Sequence, residues 1–353
     1  MPLQDEPQLK SLGWDTWFES RFWPLHEQGL VPARVSADYG AEYEVRDGLE
    51  TIRAVASSRL RENGTQPAVG DWVGLRYRAG TSVVESVVER RTTFSRKQAS
   101  VQTVEQVLAS NVDVAFVVAS APDLNVRRIE RYLTMVWQSS ASPVVVLTKA
   151  DVAASADEMR IELEAVSAGS PVLVTSSVTG EGVDEVGAQL RPARTGVLLG
   201  PSGAGKSSLV NRLLGHEAMR TRVVHRSGEG RHVTSHRQLF EVPGGGVIID
   251  TPGLREAQLW AGEDALASTF DDVEELARRC RFPDCRHDTE PGCAIKEAIV
   301  EGALDEGRLN SYHKLQRELR AVAAKSDARL RADERRKWKQ IAVANKVRDR
   351  YFR

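Results

Sequence analysis

Cysteine is scarce in this chain: its 353 residues include three cysteines, all between positions 280 and 293. An odd, clustered set behind a polar N-terminus without an apolar signal core argues against a disulfide framework and for a metal site. No run approaches the 18 consecutive apolar residues of a transmembrane helix, so no membrane association is predicted. The net charge is only -1, so any nucleic-acid partner must be met by local basic patches.

The remaining composition is that of a globular protein. Hydrophobic residues make up 41% and charged residues 27% of the chain, which excludes a wholly disordered protein. The length predicts two or three domains. We predict five segments, namely an aromatic extension (1–29), a β-barrel (30–95), a nucleotide-binding domain (96–262), a metal-binding domain (263–324) and a basic tail (325–353).

The N-terminal extension carries closely spaced aromatic residues. Trp14, Trp17, Phe18 and Phe22 are three or four residues apart and share one stripe of a predicted helix, and Trp23 follows them. This pattern favours a helix docked on the protein by its aromatic face. A stacking platform for nucleic acid is the alternative.

The next two segments differ in their strand pattern. Residues 30–95 contain five short β-branched runs separated by Gly, Asp and Asn, which predicts a small all-β barrel of the OB-fold type. From residue 110, apolar strands alternate with amphipathic helices, which predicts an α/β domain with a doubly wound parallel sheet. After residue 262 only helical stretches are predicted, including an apolar stripe of Leu309, Tyr312, Leu315, Leu319 and Val322.

A phosphate-binding loop is the strongest single motif. The string GPSGAGKS matches G-x-x-x-x-G-K-[ST], and it lies between a predicted strand and a predicted helix. Lys206 is expected to reach the β- and γ-phosphates, and the Ser207 hydroxyl is expected to bind Mg²⁺. The predicted phosphate-binding residues are Gly200, Pro201, Ser202, Gly203, Ala204, Gly205, Lys206, Ser207 and Ser208.

A second motif indicates the base. Thr148, Lys149, Ala150 and Asp151 fit the [NT]-K-x-D box of GTPases at the end of a predicted strand. A carboxylate there accepts two hydrogen bonds from guanine, and adenine lacks both donors in that arrangement. Taken alone, this string also fits a helix N-cap. Ser176 and Ser177 end the next strand, where a loop is expected to reach the guanine oxygen.

Two further boxes predict the switch regions. Asp250 and Gly253 belong to a D-x-x-G box, in which the carboxylate binds Mg²⁺ through water and the Gly N–H lies near the γ-phosphate. Thr234 is the predicted switch I ligand of Mg²⁺. Leu254 occupies the position where Ras-like enzymes carry a water-orienting Gln, so His232 is the candidate for positioning the attacking water, or else an ordinary loop histidine.

The order of these boxes is permuted, because the guanine box precedes the phosphate-binding loop. A circular permutation of the parallel sheet accommodates this order. Downstream, Cys280, Cys285, His287 and Cys293 fit a closed, structural Zn²⁺ site with four ligands. Residues 325–353 hold eleven Lys/Arg and four Asp/Glu, which favours either contacts to RNA phosphates or a solvated charged helix.

These motifs together resemble the ribosome small-subunit-dependent GTPase A family (RsgA, also called YjeQ). The shared features are the order TKAD, GPSGAGKSS, GRHVTS and DTPG, the CRFPDCRH…C cluster, and a preceding barrel with the string VGDWV. The resemblance covers roughly residues 30–320. It departs from the family at Val233 and Ser235, where members often carry Thr.

The resemblance implies a cytoplasmic GTPase, the motifs predict that it uses GTP, Mg²⁺ and a structural Zn²⁺, and we expect a monomer. It implies binding to the small (30S) ribosomal subunit and its rRNA late in maturation, hydrolysis stimulated by that subunit, and release coupled to hydrolysis. Two alternatives remain open from the residues. One is an rRNA-binding scaffold with the nucleotide site as a slow timer, and the other is a permuted GTPase with a non-ribosomal partner.

Overall fold

The computed structural model of the protein describes residues 7–78, 81–97, 105–218, 237–251, 263–287 and 290–326. These residues form two compact units. Unit 1 contains the described residues up to 251, and unit 2 contains those from 263 onward.

The N-terminal extension of unit 1 consists of two helices, α1 (Pro7–Ser11) and α2 (Thr16–His26). Asp15 caps α2, because its Oδ1 accepts hydrogen bonds from the backbone N–H groups of Trp17 and Phe18. Trp14, Phe18 and Phe22 are buried, and the Trp14 ring lies 4.6 Å from that of Trp72. The structure therefore agrees with a docked aromatic face, although Trp14 precedes the helix.

The predicted barrel is present and closed. Its strands are β1 (Val31–Asp38), β2 (Tyr43–Arg46), β3 (Thr51–Ala56), β4 (Trp72–Arg76) and β5 (Ser82–Val87), with the helix α3 (Ser58–Glu62) after β3. Their order is β1-β2-β3-β5-β4, and β4 pairs back with β1. This closure confirms the OB-like barrel. A hairpin of β6 (Thr93–Lys97) and β7 (Glu105–Ser110), which the sequence analysis did not anticipate, follows it.

The second part of unit 1 is the predicted doubly wound domain. Its strands are β8 (Val114–Ser120), β9 (Ser142–Thr148), β10 (Val172–Val174), β11 (Thr195–Leu199), β12 (Arg237–Glu241) and β13 (Val247–Asp250). Its helices are α4 (Val126–Ser139), α5 (Ala156–Val166), α6 (Val183–Ala188) and α7 (Lys206–Leu214). The strand order is β10-β9-β8-β11-β13-β12, and the pairings are parallel except that of β12 with β13.

The barrel and the doubly wound sheet meet at a buried polar seam. Arg34 is buried there, and its guanidinium donates to Thr195 Oγ1 at 2.8 Å, to Gly70 O at 3.2 Å and to the carbonyl of Leu12. Burial lowers the pKa of Arg34 to about 10, so this side chain is still protonated at neutral pH. The seam thus joins the extension, the barrel and strand β11 through one charged group.

The VGDWV string supplies the rest of this seam. Gly70 has a φ of +96°, and a Cβ atom there would lie 2.2 Å from Ser110 O, so only glycine fits. The Asp71 carboxylate accepts two hydrogen bonds from Arg90 at 2.8 and 2.7 Å and one from Ser110 Oγ at 2.6 Å. Gly70 and Asp71 of this string therefore join the barrel to Ser110 at the end of β7 and to Arg90 before β6.

The described residues of unit 2 form helices and connecting loops, without strands. They include α8 (Glu263–Thr269), α9 (Asp271–Ala277), α10 (Ala294–Val300) and α11 (Glu306–Ser326). The predicted stripe of α11 is buried at Leu309, Tyr312, Leu315 and Leu319, and the side chain of Val322 lies outside the described part. In the part of the chain that the structure describes, no helix combines the length and the apolarity needed to cross a membrane.

Candidate nucleotide and metal sites

The phosphate-binding loop connects β11 to α7 at the carboxyl edge of the parallel sheet. Gly200 follows the last residue of β11 with a φ of +148°, and a Cβ atom there would lie 2.5 Å from Val118 O. The loop can therefore turn tightly over the neighbouring strand only with glycine at this position. The loop ends at Gly205, and α7 begins at Lys206, so the N-terminus of α7 adjoins the loop.

Lys206 is held at this loop by backbone carbonyls of the loop. Its side chain is buried, and Nζ donates to Gly200 O at 2.8 Å and to Pro201 O at 2.6 Å. The ammonium group thus lies over the loop. A phosphate at the helix N-terminus would meet this charge together with the loop N–H groups.

The guanine box lies against the same loop. Thr148 is the last residue of β9, and its Oγ1 lies 2.6 Å from Ala204 O and 3.0 Å from Ala119 O. Lys149 has a left-handed backbone with a φ of +59°, and its Nζ donates to Gly203 O at 2.7 Å. The structure therefore brings together two motifs that are more than fifty residues apart in the chain.

Asp151 is oriented by the next loop. Ser176 is fully buried, and its Oγ donates to Asp151 Oδ1 at 2.6 Å. The same Oγ accepts from the N–H groups of Val178 and Thr179 at 3.2 Å. These contacts fix one carboxylate oxygen of Asp151, which is an exposed residue. Ser176 was predicted to belong to a loop that reaches the guanine oxygen, and the structure adds a role for its hydroxyl.

Asp250 ends the strand next to the phosphate-binding loop. Strands β11 and β13 pair in parallel, with Val197 opposite Ile249, so Asp250 and the start of α7 lie at the same edge of the sheet. The Ser207 hydroxyl and a carboxylate at this edge are oxygen donors of the kind that Mg²⁺ prefers. These residues fit the predicted magnesium site. The other predicted switch residues, His232, Thr234, Gly253 and Leu254, lie outside the described residues.

The four predicted metal ligands of unit 2 converge. Their ligand atoms all lie within 4.8 Å of one another. Cys280 Sγ and Cys293 Sγ are 3.9 Å apart, and each lies 3.6 Å from His287 Nδ1. For a tetrahedral ion with metal–sulfur bonds of about 2.3 Å, the sulfur atoms are separated by about 3.8 Å. The cluster fits such an ion, with all four positions taken by the protein.

The protonation of these ligands is coupled to metal binding. Partial removal from water, with hydrogen bonds among the thiols adding to the effect, raises the pKa of Cys285 to about 11. Without a metal this thiol is therefore protonated at neutral pH. Burial lowers the pKa of His287, which favours the neutral imidazole that coordinates metals. Metal binding at this cluster must consequently release protons.

Comparison with known proteins agrees with this arrangement. A family model described as RsgA GTPase matches residues 87–260. A protein of Opitutus terrae named small ribosomal subunit biogenesis GTPase RsgA is 43% identical over 359 residues, covering 97% of this chain and 98% of that protein. A protein of the same name from Syntrophotalea carbinolica is 44% identical over 349 residues, covering 94% and 95%.

Two solved structures have a similar fold. YjeQ from Thermotoga maritima matches with a TM-score of 0.62 and 26% identity, over 82% of this chain and 98% of that one. YloQ, which is described as a circularly permuted GTPase, matches with a TM-score of 0.59 and 24% identity, over 82% and 95%. The permuted order of the motifs therefore has a counterpart among known folds.

Proposed function

The chain belongs to the RsgA GTPase family, and from that premise we propose that it hydrolyses GTP as a late assembly factor of the small (30S) ribosomal subunit. In this proposal the protein works as a monomer in the cytoplasm and contacts rRNA through the barrel and unit 2. The subunit stimulates hydrolysis, and hydrolysis releases the protein. The relatives that match nearly the whole chain carry the name of this process.

One observation supports the proposal above the others, namely the contact between guanine box and phosphate-binding loop. Lys149 Nζ lies 2.7 Å from Gly203 O, and Thr148 Oγ1 lies 2.6 Å from Ala204 O. A base held by Asp151 would therefore have its phosphates directed into the loop. A helix N-cap, the alternative for this string, does not require such contacts.

We assign the base-reading role to Asp151. Its carboxylate accepts the ring N–H and the exocyclic amine of guanine, while the Lys149 stem covers the base and the loop at Ser176 and Ser177 faces the guanine oxygen. Because Ser176 holds the carboxylate in place, little rotamer entropy is lost on binding. An adenine base would leave the carboxylate without its two donors, and such mismatches are rejected strongly.

Hydrolysis requires groups around the γ-phosphate. Ser207, Asp250 and Thr234 would hold Mg²⁺, which neutralises charge on the phosphate oxygens when it is bound. Lys206 stabilises the same charge, and the Gly253 N–H completes the phosphate contacts. His232 accepts a hydrogen bond from the attacking water as a neutral imidazole. Because Leu254 cannot orient water, hydrolysis is slow until the subunit positions His232.

Zn²⁺ is the ion we propose for Cys280, Cys285, His287 and Cys293. The set of three thiolates and one imidazole is typical of structural zinc, and the spacing of its atoms fits a tetrahedron. Four protein ligands leave no open position for substrate. The ion would therefore stabilise the loop between α9 and α10 rather than take part in hydrolysis.

Features of both units support the rRNA contacts. Tyr39 follows β1 and Tyr77 follows β4 of the barrel, and both rings are exposed to an extent that suits stacking on bases. Unit 2 carries an open groove of about 1210 Å³. Its cationic lining residues are Arg286, Lys296, Arg317 and Arg320, and its acidic ones are Glu274, Asp284 and Glu306. Glu274 already accepts a hydrogen bond from Tyr312.

The predicted segment limits remain part of this proposal. The extension (1–29) packs on the barrel (30–95), the permuted GTPase domain covers 96–262, and the zinc domain covers 263–324. The tail (325–353), most of which lies outside the described residues, adds a surplus of seven positive charges for rRNA phosphates.

Co-sedimentation with purified small subunits tests the proposed function. We expect the protein to pellet with the subunits when it carries a non-hydrolysable GTP analogue, and to stay in the supernatant with GDP. Lys206→Ala, which weakens nucleotide binding, should lose the difference between the two nucleotides. Equal pelleting with both nucleotides would favour a scaffold, and no pelleting with either would favour a non-ribosomal partner.

A further inference from the structure

Strand β1 connects the barrel to the doubly wound part of one continuous sheet. Its first half pairs with β4 and closes the barrel, with Arg34 opposite Trp72. Its second half pairs with β12 of the doubly wound sheet, with Ala37 opposite Gln238 and Asp38 opposite Arg237. The barrel is therefore hydrogen-bonded to the GTPase sheet through this strand.

One row of residues leads from this joint to the nucleotide site. Gln238 pairs with Ala37 on one side and with Asp250 on the other. Adjacent strands are about 4.8 Å apart, so Ala37 lies two strands, or about 10 Å, from Asp250. A change in the position of Asp250 thus has a short backbone route to the end of β1.

An ion pair links β1 to β12 at this end of the joint. Arg237 donates to Asp38 Oδ2 at 3.2 Å, and the two side chains are only 13% and 20% exposed. Asp38 Oδ1 also accepts from the N–H of Gly40, which shapes the turn carrying the exposed Tyr39. A pair this far from solvent is screened less than a surface pair and has a larger effect on geometry.

We propose that Asp38 and Arg237 are positioning residues that couple the barrel turn at Tyr39 to Asp250. An RNA bound at this turn would favour one arrangement of β12, and the nucleotide state would in return alter the turn, because coupling between two sites is reciprocal. This inference rests on the proposed function for the identity of the barrel ligand. The coupling between Asp38, Arg237 and Asp250 lies entirely within unit 1.

A second ion pair, which also involves β12, offers a matched control for the Asp38–Arg237 pair. Arg46 of β2 pairs with Glu241, which is at the opposite end of β12 and pairs with Val247. Glu241 is three residues, or about 10 Å, from Gln238. Both pairs join the barrel to β12, but only the Asp38–Arg237 pair lies beside the row that contains Asp250.

Hydrogen–deuterium exchange of the full-length chain tests the coupling without any ribosome. We expect the backbone amides of residues 35–41 to exchange at least about fivefold more slowly with a non-hydrolysable GTP analogue than with GDP, the lower end of typical allosteric couplings. Asp38→Asn and Arg237→Gln should each remove this difference. Asp38→Glu and Glu241→Gln should keep it.

The exchange rates of these variants can contradict the proposed coupling as well as support it. An unchanged exchange rate in the wild-type protein, or a difference that survives in both Asp38→Asn and Arg237→Gln, would overturn the coupling. GDP affinity of each variant shows that it is folded, and Arg237→Gln serves if Asp38→Asn does not fold. Absence of subunit stimulation in the wild-type protein would instead contradict the proposed function and leave the exchange result intact.

Discussion

The two units of the described chain are stabilised by different means. In unit 1 all seven residues of β8 and all five of β11 are buried between helices, so hydrophobic burial fixes the sheet. Unit 2 has a small core around Phe270 and the stripe of α11, joined by the Arg308–Asp272 ion pair at 2.5 Å. Domains of this size usually need a disulfide or a metal in addition to their core.

The two candidate sites also differ in the contacts that hold their residues together. The nucleotide-binding residues of unit 1 contact one another through hydrogen bonds of 2.6–2.8 Å. The ligands of unit 2 meet at 3.6–3.9 Å through sulfur contacts, which are weak. Direct hydrogen bonds therefore connect the residues of the nucleotide site, whereas the metal site depends on its ion for cohesion.

Loss of the metal should have the largest effect of the changes considered, and the effect should be confined to unit 2. Structural zinc contributes about 10–16 kcal/mol in small domains. We expect Cys285→Ser, or a strong chelator, to unfold the loop between α9 and α10 and to weaken unit 2. Unit 1 should keep its GDP affinity.

Metal analysis and limited proteolysis provide the measurement. The wild-type protein should contain one zinc per chain and resist cleavage between residues 280 and 293. Asp284→Asn, a change at an exposed neighbour in the same loop, should behave as wild type. A zinc-free wild-type protein, or Cys285→Ser with unchanged protection, would contradict the role of the cluster.

A change in the base-reading group should affect unit 1 alone. Asp151→Asn removes the acceptor for the guanine donors, and polar mismatches of this kind are rejected by about 10⁴-fold. We expect the variant to lose GTP affinity and to gain affinity for xanthosine triphosphate, because the new amide donates to the extra oxygen of xanthine. Titration with both nucleotides measures the preference.

Asp157→Asn on the exposed face of α5 is the control, since its side chain is 92% exposed. It should bind GTP as the wild-type protein does. An Asp151→Asn protein that still prefers GTP would remove Asp151 from base reading.

The seam of unit 1 gives a smaller but measurable effect. Arg34→Met leaves the buried acceptors Gly70 O and Thr195 Oγ1 without their donor, and an unsatisfied buried polar group costs about 1–3 kcal/mol. We expect a matching loss in the free energy of unfolding of unit 1 by denaturant titration. Arg53→Met, at a barrel arginine with a 79% exposed side chain, should cost under about 1 kcal/mol. Equal losses in the two variants would show that the seam does not stabilise unit 1.

The sequence predicted what depends on local pattern. Apolar strand runs, the glycine-rich loop and the cysteine spacing each indicate their element directly, and the permuted order follows from motif positions. The seam was not predicted, because Arg34 looks like any strand arginine until Thr195, 161 residues later, is placed beside it. Strand β12 was missed for a related reason. Its residues RQLFE lack a clear apolar run, and its place is fixed by β1 and β13 on either side.

Single-turnover GTP hydrolysis with and without saturating small subunits tests whether the subunit activates this enzyme. We expect slow hydrolysis by the isolated protein and a large increase on addition of subunits. Most of that increase should be lost in His232→Ala, since a positioned general base contributes about 10²–10⁴-fold. A wild-type rate that is the same with and without subunits would contradict activation by the subunit and leave an rRNA-binding scaffold with a slow nucleotide site.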